Sequence, residues 1–291
     1  MHPSEPRRDR PLVVTAADAR FARTLWQFLR SAERRRAVEG LDWLAWDLGM
    51  EPEQLAGLRR RFPWCGFRRF DASAHPPHVR VSAGTWAWKP VIVVESARDR
   101  GGPVLWADSG AIVRPRFREV FDEIRRTGVL TLWSKTAIGR KADPRTLART
   151  GLAPELWGVI ERPATIFGFD AGDPTACDLI RRWAAFCEDP ETIAPVDAMP
   201  GHKFDQAVLN CVLIAATAEG RLASLPVGDI DISSGRPVAW FTTRNKVDPR
   251  LPTWTDPLCR LWYWTYKTVD QALHRRAERK RARGGDPGAG S

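Results

Sequence analysis

Apolar and polar positions along the 291-residue chain follow two periods in turn. The β-branched run PLVVTAA at 11–17 reads as a strand, and FARTLWQFLRSAERR at 21–35 repeats apolar residues at helical spacing. The same pair returns as LDWLAWDLG at 41–49 followed by EPEQLAGLRRR at 51–61, a helix opened by acidic residues and proline. CGFRRFD at 65–71 predicts a third strand, a proline-rich loop follows, 85–100 reads as a helix around Pro90, and GPVLWADSG at 102–110 predicts a fourth strand. A helix over 114–128, closed by Gly128, leads to a strand at 129–133. Further on, 164–172 reads as strand, 174–189 and 202–220 as helices, and 222–233 as a late strand. An aromatic amphipathic helix over 256–284 grades into a glycine-rich end. Strands alternating with helices predict an α/β fold, a mostly parallel sheet flanked by helices. With no linker and no repeat, the expectation is a flexible extension at 1–10, one domain over 11–257, and an aromatic helix with a basic, partly disordered tail over 258–291.

Composition narrows the class. The apolar runs are too short to span a bilayer, and the charged opening MHPSEPRRDR lacks the apolar stretch of a secretory signal. Five scattered cysteines without a Cys-x-x-Cys pair argue against a zinc knuckle or disulfide framework and fit a reducing, cytoplasmic setting. Much of the formal charge of +10 lies at the ends, with six basic residues against one acidic over 275–283. Such a tail suits weak contact with an anionic surface, peripheral to a membrane, and no specific nucleic-acid partner is expected. Fourteen tryptophans are an unusual number; large core side chains account for most of these positions, and some are expected to line something else, since indole faces stack on the apolar faces of sugar rings.

In open α/β sheets ligands sit beyond the carboxyl ends of the strands. Here those ends carry Thr15 to Asp18, Asp47 to Gly49, Asp71, and Asp108 to Gly110. Carboxylates gathered on one rim can hold magnesium or manganese, although Asp before Gly is equally a turn and helix-cap choice.

WDLGMEPEQLAGLRRRFP (46–63), FDASAHPPHV (70–79), TWAWKPVIVVESARDRGGPVLWADSGAIV (85–113) and HKFDQAVLN (202–210) carry a resemblance in their order and spacing. The chain resembles the nucleotide-sugar glycosyltransferase-like proteins of the GT-A fold, the nucleotide-diphospho-sugar transferase superfamily. The resemblance implies a GT-A-like, Rossmann-like sheet and transfer of a sugar from a nucleotide-diphosphate donor to a hydroxyl of a small or glycan acceptor. By the same likeness Asp108 matches the first carboxylate of an Asp-x-Asp motif that holds a manganese or magnesium ion, with Ser109 beside it. The third motif position is Gly110. Asp108 then binds metal with help from elsewhere, or basic residues such as Lys89, Arg244 and Lys246 neutralise the diphosphate, or catalysis is lost and a nucleotide-sugar-binding or scaffold protein remains. Thr15 and Ala16, with Asp47 nearby, match where such proteins receive base and ribose, and Asp205 and Gln206 would lie near the anomeric carbon. His202 could bind phosphate or donate a proton, although a lone loop histidine is more often simply solvated.

Overall fold

The structure is a computed structural model. It describes residues 9–223 apart from 133 and 135, then the short stretches 227–228, 230–231, 241–242 and 253–255, and residues 257, 258, 261, 262, 265 and 269.

The first strand, β1 (Leu12–Ala17), is buried along its whole length. Leu12, Val14 and Ala16 enter one apolar cluster, and Val13 and Ala17 enter the other, on the opposite face. An unbroken apolar run is what a central parallel strand with both faces covered requires. Helix α1 (Ala22–Arg34) follows, then β2 (Asp42–Asp47), α2 (Pro52–Arg61), β3 (Gly66–Arg69), α3 (Trp88–Ala97), β4 (Pro103–Ala107) and the short β5 (Ile112–Val113). Next come α4 (Glu119–Thr127), β6 (Val129–Leu132), α5 (Pro144–Arg149), β7 (Ile166–Asp170), α6 (Pro174–Glu188), α7 (Pro190–Ile193) and α8 (Phe204–Ala218). The last strands are β8 (Val227–Gly228), β9 (Ile230–Asp231) and β10 (Phe241–Thr242).

The strands pair in the order β3-β2-β1-β4-β7-β6-β8, and β5-β10-β9 form a separate small sheet. The expected single mostly parallel sheet flanked by helices is present, with one reversal: β7 runs antiparallel to both β4 and β6. The late strand expected over 222–233 divides, β8 pairing with β6 and β9 with β10. The helix expected over 85–100 is shorter, because the chain makes a separate turn before Trp88 and leaves Pro90 in the first helical turn, where its missing N–H costs no hydrogen bond.

Local chemistry sets several helix starts. Pro52 opens α2 with Gln54 Oε1 accepting from the Glu51 N–H at 3.0 Å, and Asp173 caps α6 by accepting from the Thr175 N–H at 2.8 Å. Helices α3, α6 and α8 cover one face of the sheet, and α1 and α4 the other. Helix α5 packs on α8 through Leu147, Cys211 and Ile214. Among the described residues Trp43, Trp46, Trp88, Trp106 and Trp183 are buried in this core.

No helix among the described residues is long and apolar enough to cross a membrane. Most of the aromatic helix expected over 256–284, the basic stretch 275–283, Arg244 and Lys246 lie outside the described residues.

Gly168 of β7 lies under Ile124 of α4. A Cβ there would sit 2.8 Å from Ile124 Cγ1 and 3.3 Å from the Val104 carbonyl oxygen. Gly168→Ala is therefore expected to overpack the layer between α4 and the sheet and to destabilise the fold by about 1–3 kcal/mol in urea unfolding. An unchanged midpoint would mean that α4 yields without cost.

Candidate functional site

Strand β4 delivers its last residues to the carboxyl edge of the sheet. There the Asp108 N–H donates to the Thr165 carbonyl at 2.8 Å and the Ala111 N–H donates to the Asp108 carbonyl at 2.9 Å, so the chain turns at once. The Asp108 carboxylate is fixed by its own strand: Oδ1 accepts the indole N–H of Trp106, two residues earlier on the same face, at 2.9 Å.

Lys89, in the first turn of α3, reaches the same oxygen. Its Nζ lies 3.3 Å from Asp108 Oδ1, 3.3 Å from Asp205 Oδ2, and donates to the Ala164 carbonyl at 3.3 Å. The side chains of Lys89 and Asp205 are 7% and 6% exposed, that of Asp108 40%, so Asp108 is the member of the trio that meets an incoming ligand. Burial disfavours the Lys89 ammonium, but Asp108 and Asp205 outweigh it and hold the group above its ordinary value. Burial pushes Asp205 up to about 6, with Lys89 pulling the other way.

The first turns of α8 hold the opposite wall. The Trp183 indole donates to the Asp205 carbonyl at 2.9 Å. Gln206 uses both ends of its amide, Oε1 accepting from the Ala164 N–H at 3.2 Å and Nε2 donating to Glu161 at 2.8 Å. One turn on, Asn210 accepts from the Arg162 N–H at 2.5 Å and donates to the Arg162 carbonyl at 2.8 Å. Loop 161–165 is thus clamped to α8 while its Ala164 carbonyl touches Lys89. Glu161 and Ala164 were not among the expected site residues, and Asn210, which closes the HKFDQAVLN motif four residues after Gln206 on the same helical face, was given no role of its own.

The other predicted residues fall elsewhere. Thr15 and Ala16 lie buried inside β1, and Asp18 beyond them is taken up by its own turn, accepting from the Arg20 and Phe21 N–H groups. Asp47 is consumed by its turn: Oδ1 accepts from the Gly49 and Met50 N–H groups at 2.9 and 2.7 Å, and Oδ2 from Arg69 at 2.7 Å. Burial alone would raise its carboxyl, but these donors hold it below the ordinary value. Ser109 is buried beside Asp108. His202 is an internal strut: Nδ1 accepts from the Asp143 N–H at 3.1 Å, leaving the proton on Nε2, 2.8 Å from the Ile193 carbonyl, and burial keeps the ring neutral. It is therefore not placed to bind phosphate.

A cavity of about 690 Å³ opens at the ends of β2 and β3. Leu48, Phe70 and Val81 give it apolar walls, and Arg69 and Arg80 give it two guanidiniums. Asp108 and the end of β2 flank β1, so two strand spacings, about 10 Å, separate them.

The expected manganese or magnesium ion does not fit the donors present. Gly110 offers no carboxylate, Asp108 Oδ1 is already shared by an indole and an ammonium, and Asp205 lies behind the same ammonium. Among the described residues no three His, Cys, Asp or Glu side chains converge. A hard divalent cation held by protein needs several oxygens at once.

Among solved structures, the chain is similar to a galactosyltransferase, LgtC, in complex with donor and acceptor sugar analogues, with a TM-score of 0.53 and 14% identity over 89% of this chain and 94% of that one. An active-site mutant of LgtC matches with a TM-score of 0.51 at 14% identity, over 89% of this chain and 95% of that one. WbbM, a bifunctional glycosyltransferase, matches at 0.50 and 14% identity over 90% of this chain and 45% of its own. The fold is that of the GT-A glycosyltransferases. No family model and no curated protein matches the sequence. Within this fold the Lys89 trio sits at the carboxyl edge of β4, where open α/β sheets place their ligands.

Removing Lys89 would leave a buried carboxylate without its partner. Lys89→Met is expected to destabilise the fold by about 3–5 kcal/mol at neutral pH. Because the folded value of Asp205 is raised to about 6 from 3.8, the stability it contributes is complete below 3.8 and is lost as pH rises through 6. At pH 5 a protonated Asp205 needs no partner, so the loss should shrink. Urea unfolding of both proteins at pH 5 and pH 7.5 measures it, and equal losses would refute the pairing.

Proposed function

We propose that this chain transfers a sugar from a nucleotide-diphosphate donor to an acceptor hydroxyl. The observation that carries this reading is the Lys89-bound carboxylate pair at the carboxyl edge of β4 in a GT-A fold. The similar LgtC structure contains donor and acceptor sugar analogues, which supports the substrate class.

On this reading the nucleoside end of the donor lies in the cavity at the ends of β2 and β3. The Arg80 guanidinium has no partner among the described residues, and Arg69 keeps donors free beyond its bond to Asp47, so both can meet phosphate oxygens. The sugar then lies toward Asp108. The acceptor oxygen bonds to the anomeric carbon while the bond to the diphosphate oxygen breaks, and the nucleoside diphosphate leaves with the electron pair. The acceptor proton is released to solvent. Positive charge developing on the sugar ring is favoured by the Asp108 carboxylate, whose orientation Trp106 and Lys89 hold before the ligand arrives. Arg244 and Lys246 are the remaining candidates for diphosphate contact. Asp205 and Gln206 act as positioning residues, one holding Lys89 and the other the Ala164 loop.

A second reading, binding of nucleotide sugars without turnover, is favoured by Gly110 in place of a carboxylate.

A thermal-shift screen of uridine, guanosine and adenosine diphosphate sugars, with manganese, magnesium or chelator, identifies the donor, since a bound ligand raises the melting temperature. Asp108→Asn, which keeps an acceptor oxygen for the Trp106 indole and leaves Asp205 as the counter-charge of Lys89, is then expected to lower nucleoside diphosphate release by about 100-fold or more with a smaller loss of melting temperature than Lys89→Met. Undiminished release would remove Asp108 from the reaction. Binding with no release in the wild type would favour the second reading, and no stabilisation by any donor would overturn both.

A further inference from the structure

Two aromatic residues beside the Lys89 trio hold backbone conformations that side chains of their size avoid. Trp86 has φ of 55° and Phe204 has φ of 40°. A bulky residue in the left-handed region costs about 1–3 kcal/mol and persists where its surroundings impose it, most often at binding sites. Both stand on the turns that deliver the site: the Trp86 carbonyl accepts the Lys89 N–H at 2.9 Å, and Phe204 immediately precedes Asp205. Their rings touch, with centroids 5.8 Å apart at 43°.

The pair is backed by fixed structure. The other side of Phe204 packs on the His202 ring at 5.0 Å, and His202 is pinned by the Asp143 N–H and the Ile193 carbonyl. Thr85 and Ala87, on either side of Trp86, are buried, and Thr85 Oγ1 donates to the His78 carbonyl at 2.6 Å. Trp86 itself is 47% exposed, while Trp46, Trp106 and Trp183 fill the core. An indole held outward on a strained, anchored backbone contributes little to the core.

We infer that Trp86, supported by Phe204, is a stacking platform for the apolar face of a pyranose ring that takes part in the transfer; the inference rests on the glycosyl-transfer reading. The C–H groups on one face of a pyranose complement the electron-rich face of an indole, and the hydroxyls at the ring edge remain free for polar neighbours. A platform fixed before binding loses little entropy on contact. The ring belongs to the acceptor or to the donor sugar, and both present this chemistry.

Saturation-transfer NMR with methyl glucoside, methyl galactoside, methyl N-acetylglucosaminide and lactose addresses the acceptor arm, and sugar nucleotides address the donor arm. The expected result is saturation of the ring protons of one pyranose face in the wild type and in Trp86→Phe. In Trp86→Ala that contact should be lost, with affinity weakened about tenfold, or ~1.4 kcal/mol. Trp86→Gly should lose the contact as well, with an equal or higher melting temperature, because glycine relieves the left-handed strain. A lowered melting temperature with the sugar contact intact would make Trp86 a structural residue and overturn the inference. Absence of any saccharide contact in the wild type would also overturn it and leave a protein-binding patch instead. Nucleoside diphosphate release without saccharide contact at Trp86 would defeat this inference alone, whereas contact with no donor binding or release would defeat the transfer reading.

Discussion

A lysine ammonium with no access to water has to be matched by carboxylates, and that requirement at Lys89 ties the site together. Its partners come from distant parts of the chain: Asp108 from the end of β4, Asp205 from the start of α8, and the Ala164 carbonyl from the loop entering β7. An unpaired buried charge is far costlier than the modest net gain of forming the pair, so the three elements are constrained to one another. The sheet supplies the edge, α3 the ammonium and α8 the counter-charge.

Around this constraint the neighbours divide into those that hold and those that remain open. Trp106, Trp183, Gln206, Asn210 and His202 spend their polar atoms on backbone or carboxylate partners, and this fixes the walls. Asp108, the two guanidiniums of the β2–β3 cavity and the Trp86 indole stay accessible. The accessible set combines negative charge, positive charge and an aromatic face. That combination fits the proposed handling of a sugar joined to a diphosphate. Among the described residues the divalent ion implied by family likeness finds too few oxygens, because Gly110 stands where a second carboxylate would be and Lys89 already occupies the space between Asp108 and Asp205.

Several site residues were legible from the chain alone, and for a local reason. Asp108 follows a strand of unbroken apolar residues, and Asp205 opens a strongly apolar helix, so position at an element's end marked both. Lys89 was named as a basic neighbour of Asp108, and the structure brings the two together. Asp47 misled, since the chemistry that makes an Asp a ligand also makes it a good turn-former, and His202, open to either reading in the chain, is an internal strut. Glu161 and Ala164 carried no signal, because nothing in their local sequence distinguishes a loop clamped against α8 from an ordinary connection, and Trp86 was one of fourteen tryptophans with nothing local to mark it as an outward one.

By itself the sequence determined the alternation of strands and helices, the apolar run of β1, the helix starts at Pro52 and Pro174, and the carboxyl-edge position of Asp108. These follow from short-range periodicity and from capping. Only the tertiary structure decided that β7 runs against its neighbours, that Asp205 and Asp108 share one ammonium, and that Gln206 is spent on a loop 42 residues earlier. Those outcomes depend on which buried charges and amides find partners across the fold, a long-range matching of polar groups that hydrophobic period does not encode.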